Sequence, residues 1–368
     1  MYIQKKNAQL AILHDYIEHT DGGSRLCTIL GRQLGADLYY GFRRAEHPFF
    51  TPSYGPGAEQ ALMHAVNIPL LRQCILTRTF SKRTQFIRKY PTTIFSGFYA
   101  PLAAQYLEGQ QGIYYCHTPP RFVYGERDFF LSTVPAVARP LLNSFINWYA
   151  PQFKKTLPHI QTFVANSKNV QERIKKFLHR DSTIVYPPCD TEQYHNAESQ
   201  GYYLSMGRLD PLKRIDVIIN AFKEMPTKRL VITSSGPSEE QLKKLAADCD
   251  NIKFVGQLSE KQLQKAIAES IATIYIPKQE DFGMCAIESM AAGKPVIVAA
   301  EGGLLETVTD GETGIFTPAN PQGKDIIEAV NSLSASKATC MKTACLDRAT
   351  QFDTSVFVNA MKRLILER

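Results

Sequence analysis

The most informative stretch of the 368-residue chain is EDFGMCAIESMAAGKPVIVAA, which covers residues 280–300. It reads as a loop that follows an apolar strand, then a helix that begins near Met284, then a second apolar strand, PVIVAA. Strand, helix and strand in this order predict a βαβ unit with two parallel strands in one sheet. Ligands of such sheets bind beyond the carboxyl ends of the strands, where residues 280–283 would lie.

The same alternation extends outward from this stretch in both directions. In the second half, the apolar runs are LSMGRL, RLVITSSG, NIKFVG and ATIYIP, and RIDVIINAFKEM, SEEQLKKLAAD and SEKQLQKAIAES between them predict helices. In the first half, LAILH, ADLYYGF, TTIFSG, GIYYCH and TFVANS predict strands, and SKNVQERIKKFL predicts a helix with Ser167 as its N-cap. Residues 120–160 are aromatic and contain five prolines, so we expect broken helices there.

These patterns predict an α/β protein with two parallel-sheet domains that face each other across a cleft. Pro187-Pro188 and the polar stretch that follows, up to about Gly201, suggest a linker. The predicted domains are therefore residues 1–190 and 191–350.

The composition is that of an ordinary globular protein, with 44% hydrophobic and 21% charged residues. This excludes a disordered tail, a collagen-like repeat and a coiled coil. No run reaches the ~18 apolar residues of a membrane span, and the start does not resemble a signal peptide. The eight cysteines are scattered and lack zinc-site spacing. We therefore predict a cytoplasmic protein.

The net charge of +7 comes from the first half of the chain. Residues 1–200 contain 22 Lys and Arg against 14 Asp and Glu, whereas residues 201–368 contain 20 against 21. No acid occurs between Glu59 and Glu108. That stretch contains the cations Arg72, Arg78, Lys82, Arg83, Arg88 and Lys89. Such an excess suits nucleic acid, an anionic membrane surface or a phosphorylated ligand.

The apolar residues of this acid-free stretch have a partly helical spacing. They are Leu70, Leu71, Ile75, Leu76, Phe80, Phe86 and Ile87. A basic amphipathic surface on the first domain would hold the protein against anionic lipid. The alternative is that these residues are core and the cations a solvated face. A second candidate for membrane contact is the aromatic segment 125–153 with Trp148.

Two acids and two cations in the second half are candidates for the chemistry. Glu280 lies in a loop at the carboxyl end of a strand, and Glu288 lies eight residues on, within a helix. Arg208 and Lys213 follow the strand that ends at Gly207, so they could clamp a diphosphate. The alternative for each is a solvated charge. The apolar surroundings of Glu288 favour a function.

Three loops complete the list of candidates. Gly22-Gly23 and Gly302-Gly303 each lie between a strand and a helix, where backbone amides can approach an anion, or where a turn is simply tight. His117 directly follows an apolar strand, which suits either catalysis or a structural hydrogen bond. Asp248-Cys249-Asp250 matches the Asp-x-Asp pattern of metal-dependent sugar transferases but lies at the wrong end of the sheet. Walker A and Gly-x-Gly-x-x-Gly patterns are missing from the sequence.

The second-half motifs resemble retaining glycosyltransferases of family 4. The segment from Glu280 to Glu288 looks like the Glu-x7-Glu signature of that family, and Gly207-Arg208-Leu209 with Lys213 looks like its donor-diphosphate pair. The first-half motifs HDY (14–16), YCHTPPRFVY (115–124), ANS (165–167) and VYPPCDT (185–191) resemble a narrower group. That group contains bacterial mannosyltransferases of O-antigen and capsule assembly. Many relatives have Gly-Gly-Ala-Glu where this chain has Gly22-Gly23-Ser24-Arg25, so its acceptor side is expected to differ.

The resemblance implies a GT-B fold, a nucleotide-sugar donor with GDP-mannose favoured, and neither metal nor nucleic acid. It implies a lipid-linked glycan acceptor at the inner face of the plasma membrane, and a last helix (351–368) that packs on the first domain. The implied catalytic residues are Arg208, Lys213, Glu280 and His117. The implied donor-binding residues are Gly22, Gly23, Gly207, Phe282, Gly283, Met284, Glu288, Gly302 and Gly303. A UDP-sugar donor, a non-catalytic sugar-nucleotide-binding protein, and an epimerase or phosphorylase of the same fold remain alternatives.

Overall fold

The computed structural model describes residues 9–18, 22–44 and 57–367. The chain divides into two compact units. Unit 1 comprises Met1–Pro187 and Val358–Arg368, and unit 2 comprises Pro188–Phe357. The sequence had placed the division after residue 190.

Unit 1 is built on a seven-stranded parallel sheet with the order β3-β2-β1-β4-β5-β6-β7. Its strands are β1 (Leu10–His14), β2 (Asp37–Tyr40), β3 (Glu59–Ala61), β4 (Thr92–Ser96), β5 (Gln111–Cys116), β6 (Thr162–Ala165) and β7 (Thr183–Ile184). The central strands β1 and β4 are buried along their whole length, including the polar residues His14 of β1 and Ser96 of β4. Since the strand order reverses between β1 and β4, the loops that follow them lie at the usual ligand-binding point of such a sheet.

Helices connect these strands. They are α1 (Gly22–Leu34), α2 (Pro69–Lys82), α3 (Arg127–Ser132), α4 (Arg139–Thr156) and α5 (Lys168–Leu178). Short 3₁₀ helices cover Gln85–Lys89, Ala100–Tyr106, Ala136–Ala138 and Leu157–His159. The predicted cap of α5 is confirmed, because Ser167 Oγ accepts a hydrogen bond from the Val170 amide at 3.1 Å.

The segment 120–160 is only partly broken. A turn, α3 and a 3₁₀ helix precede α4, but α4 then runs for 18 residues and passes through Pro151. The fully buried Ile146, Tyr149 and Phe153 of α4 pack into the core of unit 1. This packing outweighs the helix-breaking effect of the proline.

Unit 2 contains a six-stranded parallel sheet with the order β10-β9-β8-β11-β12-β13. Its strands are β8 (Tyr202–Ser205), β9 (Arg229–Thr233), β10 (Ile252–Gly256), β11 (Ala272–Tyr275), β12 (Val296–Ala299) and β13 (Gly314–Thr317). Its helices are α6 (Ile215–Lys223), α7 (Glu239–Leu245), α8 (Glu260–Ala268), α9 (Met284–Ala291), α10 (Leu304–Thr307), α11 (Gly323–Ser332), α12 (Ala335–Cys340) and α13 (Lys342–Thr350). Here the order reverses between β8 and β11, so the loops with Lys213 and Glu280 lie at the corresponding point.

The polar stretch that the sequence suggested as a linker is largely fixed to unit 2. The Cys189 amide bonds to the Phe352 carbonyl, and the Gln200 amide bonds to the Glu269 carbonyl. The last helix, α14 (Thr354–Leu366), begins in unit 2 and ends in unit 1, where Gln111 Nε2 donates to the Leu364 carbonyl at 3.0 Å. Among the described residues, no helix is both long enough and apolar enough to cross a membrane.

Candidate functional site

The centre of the candidate site in unit 2 is a hydrogen-bonded cluster of Lys213, Tyr275 and Glu280. Lys213 lies in the 3₁₀ helix Pro211–Lys213 that follows β8, Tyr275 ends β11, and Glu280 lies in the loop after β11. Lys213 Nζ donates to Glu280 Oε2 at 2.9 Å and to the Tyr275 hydroxyl at 2.8 Å. That hydroxyl in turn donates to Glu280 Oε2 at 2.8 Å. The structure thus brings together two of the four predicted catalytic residues.

The charges of this cluster support one another. Burial lowers the pKa of Lys213, but the charge of Glu280 and its hydrogen bond outweigh this, so the pKa of Lys213 is raised above its usual 10.5. The stability that the ion pair contributes is therefore present below pH 10.5 and is lost as the pH rises beyond that value. Burial, together with the charge of Glu280, raises the pKa of Tyr275 well above its usual range, which keeps its hydroxyl protonated. The site holds a cation next to a fixed carboxylate.

The two loops that bear the cluster are tied to each other by the backbone. The Lys278 amide donates to the Leu212 carbonyl at 2.7 Å. Asp210 caps the 3₁₀ helix, because its Oδ1 accepts from the Leu212 amide at 3.0 Å. Gly207, predicted to contact the donor, is buried between the side chains of Tyr275 and Lys213. The position of Lys213 is therefore set by both strands.

The predicted helix after Glu280 begins at Met284, and Gly283 is its N-cap. Gly283 has a φ of +98°, and a Cβ there would lie 2.6 Å from Leu304 Cδ2, so both conformation and space require glycine. Glu288 is half-buried on this helix, one turn beyond Cys285. Burial, and then the charge of Glu288, raises the pKa of the Cys285 thiol above its usual range. Glu288 thus lies in a partly desolvated position rather than on a solvated face.

The packing of these loops constrains two residues that were predicted to contact the donor. Phe282 is buried and stacks edge-on against Phe352 with the ring centroids 5.6 Å apart, so it is a core residue. The Gly303 amide donates to the Glu280 carbonyl at 3.0 Å, so it is not directed at an anion. A Cβ on Gly302 would lie 2.2 Å from the same carbonyl oxygen. The glycine pair lets the loops after β11 and β12 approach closely.

Arg208 differs from Lys213 in its surroundings. Its side chain is exposed and, within the described part of the chain, forms no hydrogen bond or ion pair. Arg208 is a cation that is open to an incoming anion.

Unit 1 contains a second polar cluster, which includes the predicted His117. His117 Nε2 lies 2.8 Å from Ser96 Oγ, which lies 3.1 Å from His14 Nδ1. His14 Nε2 lies 3.2 Å from Ser24 Oγ, in the first turn of α1. The Ser96 hydroxyl has one proton, so it can donate to at most one of the two histidines and must accept from the other. The tautomers of His14 and His117 are therefore coupled.

The predicted glycines Gly22 and Gly23 are the first two residues of α1, directly before Ser24. Ser24 contacts His14, so the two glycines directly precede a residue of this polar cluster. His19 to Asp21, which precede them, lie outside the described residues.

Sequence reasoning missed several polar residues at these sites. Tyr275 and Ser96 were read as parts of apolar strands, although each is the last residue of its strand, where a polar group faces the ligand-binding edge. Asp15 appeared only as part of the HDY motif (14–16), with no role of its own. Its carboxylate accepts from the amides of Phe98, Tyr99 and Ala100 at 2.5–2.8 Å and so fixes the loop after β4.

Comparisons with known proteins show what unit 2 is similar to. Residues 187–345, nearly all of unit 2, match the family "Glycosyl transferases group 1". D-inositol 3-phosphate glycosyltransferase of Mycobacteroides abscessus is 30% identical over 159 residues, which are 41% of this chain and 35% of that protein. The α-1,3/1,6-mannosyltransferase ALG2 of Dictyostelium discoideum is 23% identical over 269 residues, 60% of this chain and 61% of that protein. The chain thus spans less than two thirds of these relatives.

Solved structures match the fold over almost the whole chain. HepE of Anabaena, in complex with UDP and glucose, has a TM-score of 0.74 at 16% identity and covers 98% of this chain and 100% of its own. WaaG, a glycosyltransferase involved in lipopolysaccharide biosynthesis, has a TM-score of 0.73 at 12% identity, with coverage of 98% and 100%. The predicted GT-B fold is thereby confirmed. Residues 187–345 are thus similar to the glycosyl transferases group 1 family, and the chain shares the fold of these solved structures.

Proposed function

We propose that this protein is a retaining, metal-independent glycosyltransferase that moves a hexose from a nucleotide sugar to a glycan acceptor. The observation that carries the proposal is the Lys213–Tyr275–Glu280 cluster at the point where the strand order of unit 2 reverses. This cluster lies inside the segment that matches the glycosyltransferase family.

The reaction breaks the bond between the anomeric carbon and the donor phosphate, and forms a bond from that carbon to an acceptor hydroxyl oxygen. Positive charge develops on the sugar and negative charge on the leaving nucleoside diphosphate. Lys213 and the exposed Arg208 supply fixed cations for that diphosphate, which stabilises the transition state. The acceptor proton passes to an oxygen of the departing phosphate, which balances the step.

Glu280 is better suited to hold the sugar than to attack it. Its Oε2 already accepts hydrogen bonds from Lys213 Nζ and from the Tyr275 hydroxyl. Both donors stabilise the carboxylate charge and lower its nucleophilicity. This favours front-face attack over a covalent glycosyl-enzyme, with Glu280 accepting hydrogen bonds from sugar hydroxyls.

The remaining predicted residues take supporting roles in this proposal. Glu288 offers a carboxylate to the ribose hydroxyls from within α9. His117 is proposed to hydrogen-bond the donor sugar. Gly22, Gly23, Gly283, Met284 and Gly302 offer backbone to the donor.

The proposed donor is GDP-mannose, with a UDP-sugar as the alternative. The mannosyltransferase ALG2 is among the relatives of this chain, which supports mannose. The structural neighbour HepE was solved with UDP and glucose, which favours the alternative. A donor preference is a difference in affinity, so it can be measured without knowing the acceptor.

We expect GDP to raise the unfolding temperature of the protein more than UDP does, because a ligand that binds only the native state stabilises it. The measurement is a thermal shift against GDP, UDP, ADP and CMP at equal concentrations, with Glu288→Ala as the variant that weakens ribose binding. Glu312→Ala, an exposed acid of the same unit, is the matched control. A shift with UDP and none with GDP would contradict the mannose assignment.

We propose an anionic membrane surface as the place where a lipid-linked acceptor is met, and place the contact on α3 and α4. The stretch 60–107 is less suitable, because its Leu76, Phe80 and Ile87 are core residues and its Arg72 pairs with Glu18 at 3.1 Å. These contacts favour the core alternative for that stretch.

The surface of α3 and α4 has the properties that such a contact needs. Leu141 and Trp148 of α4 are 64% and 40% exposed, and Val137, in the 3₁₀ helix between α3 and α4, is 87% exposed. No acid occurs from residue 129 to residue 171, whereas Lys154 and Lys155 lie exposed at the end of α4. Exposed apolar side chains, a tryptophan and nearby cations together suit the headgroup region of an anionic bilayer.

Lys154→Gln/Lys155→Gln is expected to weaken binding to anionic vesicles by about 30-fold, at about 1 kcal/mol per cation near the surface. Leu141→Glu should reduce it further, whereas Leu305→Glu, an exposed leucine of unit 2, should not. The measurement is co-sedimentation with phosphatidylcholine vesicles, with and without phosphatidylglycerol, at low and high salt. If the protein does not bind anionic vesicles at low salt, the membrane proposal fails.

A further inference from the structure

Two residues with an unusual backbone conformation border the cation and the carboxylate of the site. Arg214 follows Lys213 and has a φ of +52°, and Gln279 precedes Glu280 and has a φ of +55°. In the described residues, only four non-glycine residues have a positive φ, so two of the four lie next to the same ion pair. Side chains are disfavoured in this left-handed region, and such conformations persist only where the surroundings hold them.

One carboxylate contacts both of these residues. Glu301 Oε2 pairs with Arg214 Nη2 at 3.0 Å, and Glu301 Oε1 accepts from the Gln279 amide at 3.0 Å. Arg214 is further fixed by a bond from its Nη1 to the Ala319 carbonyl at 2.7 Å. Glu301 itself follows β12, so its side chain joins the loops after β8 and β11 from a third strand.

The Arg214–Glu301 ion pair is partly shielded from solvent, which strengthens it. The Arg214 and Glu301 side chains are 10% and 25% exposed, so the pair is screened less than a surface ion pair. Glu301 uses both oxygens, one on a guanidinium and one on a backbone amide, and charge-assisted bonds of this kind are stronger than neutral ones. Its removal would leave the Arg214 guanidinium largely buried without its carboxylate.

We infer that Glu301 is a positioning residue for the Lys213–Glu280 pair. It holds Arg214 and Gln279 in the left-handed conformation, and these residues set the directions in which the neighbouring Lys213 and Glu280 leave the backbone. Glu301 acts through the two loops and does not touch the donor. This role in catalysis rests on the proposed function, because it assumes that the pair binds a nucleotide sugar.

The test uses the full chain and the preference of glycine for the left-handed region. Glu301→Ala should lower kcat/KM for the nucleotide sugar by about 10- to 100-fold, since small displacements of catalytic groups cost that much. The loss should fall mainly on kcat, because Lys213 stabilises charge that develops in the transition state. Glu312→Ala removes an exposed acid of the same unit and should leave both constants unchanged.

Rescue by glycine separates positioning from a general loss of stability. The triple variant Glu301→Ala/Gln279→Gly/Arg214→Gly has glycine at both left-handed positions, and glycine adopts that conformation without steric cost. It also has no unpaired guanidinium, so it should recover most of the lost kcat. Glu301→Gln keeps an oxygen for the Gln279 amide and should show an intermediate loss. Full activity of Glu301→Ala, or no recovery in the triple variant, would overturn the inference.

A second readout does not depend on turnover. Hydrogen exchange of the Gln279 amide should be faster in Glu301→Ala and close to wild type in Glu301→Gln, which retains the acceptor. Unchanged exchange in Glu301→Ala would overturn the inference even if the enzyme is active. The wild-type protein could turn over no nucleotide sugar while the hydrogen exchange responds as expected. In that case the proposed function is wrong, but the inference that Glu301 fixes the two loops is supported.

Discussion

Lys213→Ala is expected to lower the turnover of the nucleotide sugar by about 10²-fold or more, because it removes a cation that faces the leaving diphosphate. Arg208→Ala should have an effect of the same order if the exposed guanidinium closes on the same phosphates. The matched control is Lys244→Ala, an exposed lysine of the same unit. Near-wild-type rates for Arg208→Ala would show that the clamp assignment is wrong.

A second variant separates the cation from its partner. Lys213→Ala leaves the Glu280 carboxylate with only part of its present hydrogen bonds, so some of the loss could come from that unpaired charge. In Lys213→Met/Glu280→Gln both charges are removed. If the double variant is as slow as Lys213→Ala while Glu280→Gln alone is faster, the missing cation is the cause. If it recovers, the unpaired carboxylate is the cause, and the clamp assignment of Lys213 fails.

The same assay tests the metal-independent reading. The proposed electrostatic role of Lys213 and Arg208 replaces a divalent cation, so EDTA should leave the rate unchanged. Loss of activity with EDTA and its return with a divalent cation would support a metal-binding role for Asp248-Cys249-Asp250. In the structure that motif lies between α7 and β10, before the start of the strand, at the end opposite to the Lys213 cluster.

The sequence was sufficient to predict the fold because its signals are local. Apolar runs bounded by Gly or Pro predict strands. Ten of the thirteen strands in the described residues coincide with such runs. The three that were missed are β3, β7 and β13. The first two have only three and two residues, so they carry too little periodicity to stand out from loops.

The candidate site was only partly predictable, because its partners are distant in sequence. The position of Glu280 followed from its loop, but nothing local shows that its carboxylate meets Lys213, 67 residues away. Likewise, Phe282 looked like part of a binding motif and is instead packed against Phe352. Which residues are paired is a property of the tertiary packing, which the strand order sets and the periodicity does not.

The same holds for Asp15, whose importance becomes visible only through the loop after β4. Its buried carboxylate accepts the amides of Phe98, Tyr99 and Ala100, and the last of these begins the 3₁₀ helix Ala100–Tyr106. Gly97 has a φ of +110°, and a Cβ there would lie 2.3 Å from Asp15 Cγ. The loop therefore closes around the carboxylate, directly after Ser96 of the histidine cluster.

Asp15→Asn is expected to lower the free energy of unfolding of unit 1 by about 3 kcal/mol, because an amide offers one acceptor oxygen to three buried N–H groups and turns a donor toward them. Trp148, the only tryptophan of the chain, lies in α4 of unit 1, so its fluorescence reports the unfolding of that unit. A loss of this size shifts the urea midpoint by roughly 1 M. Asp128→Asn, an exposed acid on α3, makes the same change of charge and should leave the midpoint in place. Equal midpoints for the two variants would show that the three amide contacts do not hold the loop. The structural connection between Asp15 and the Ser96–His117 pair would then also be wrong.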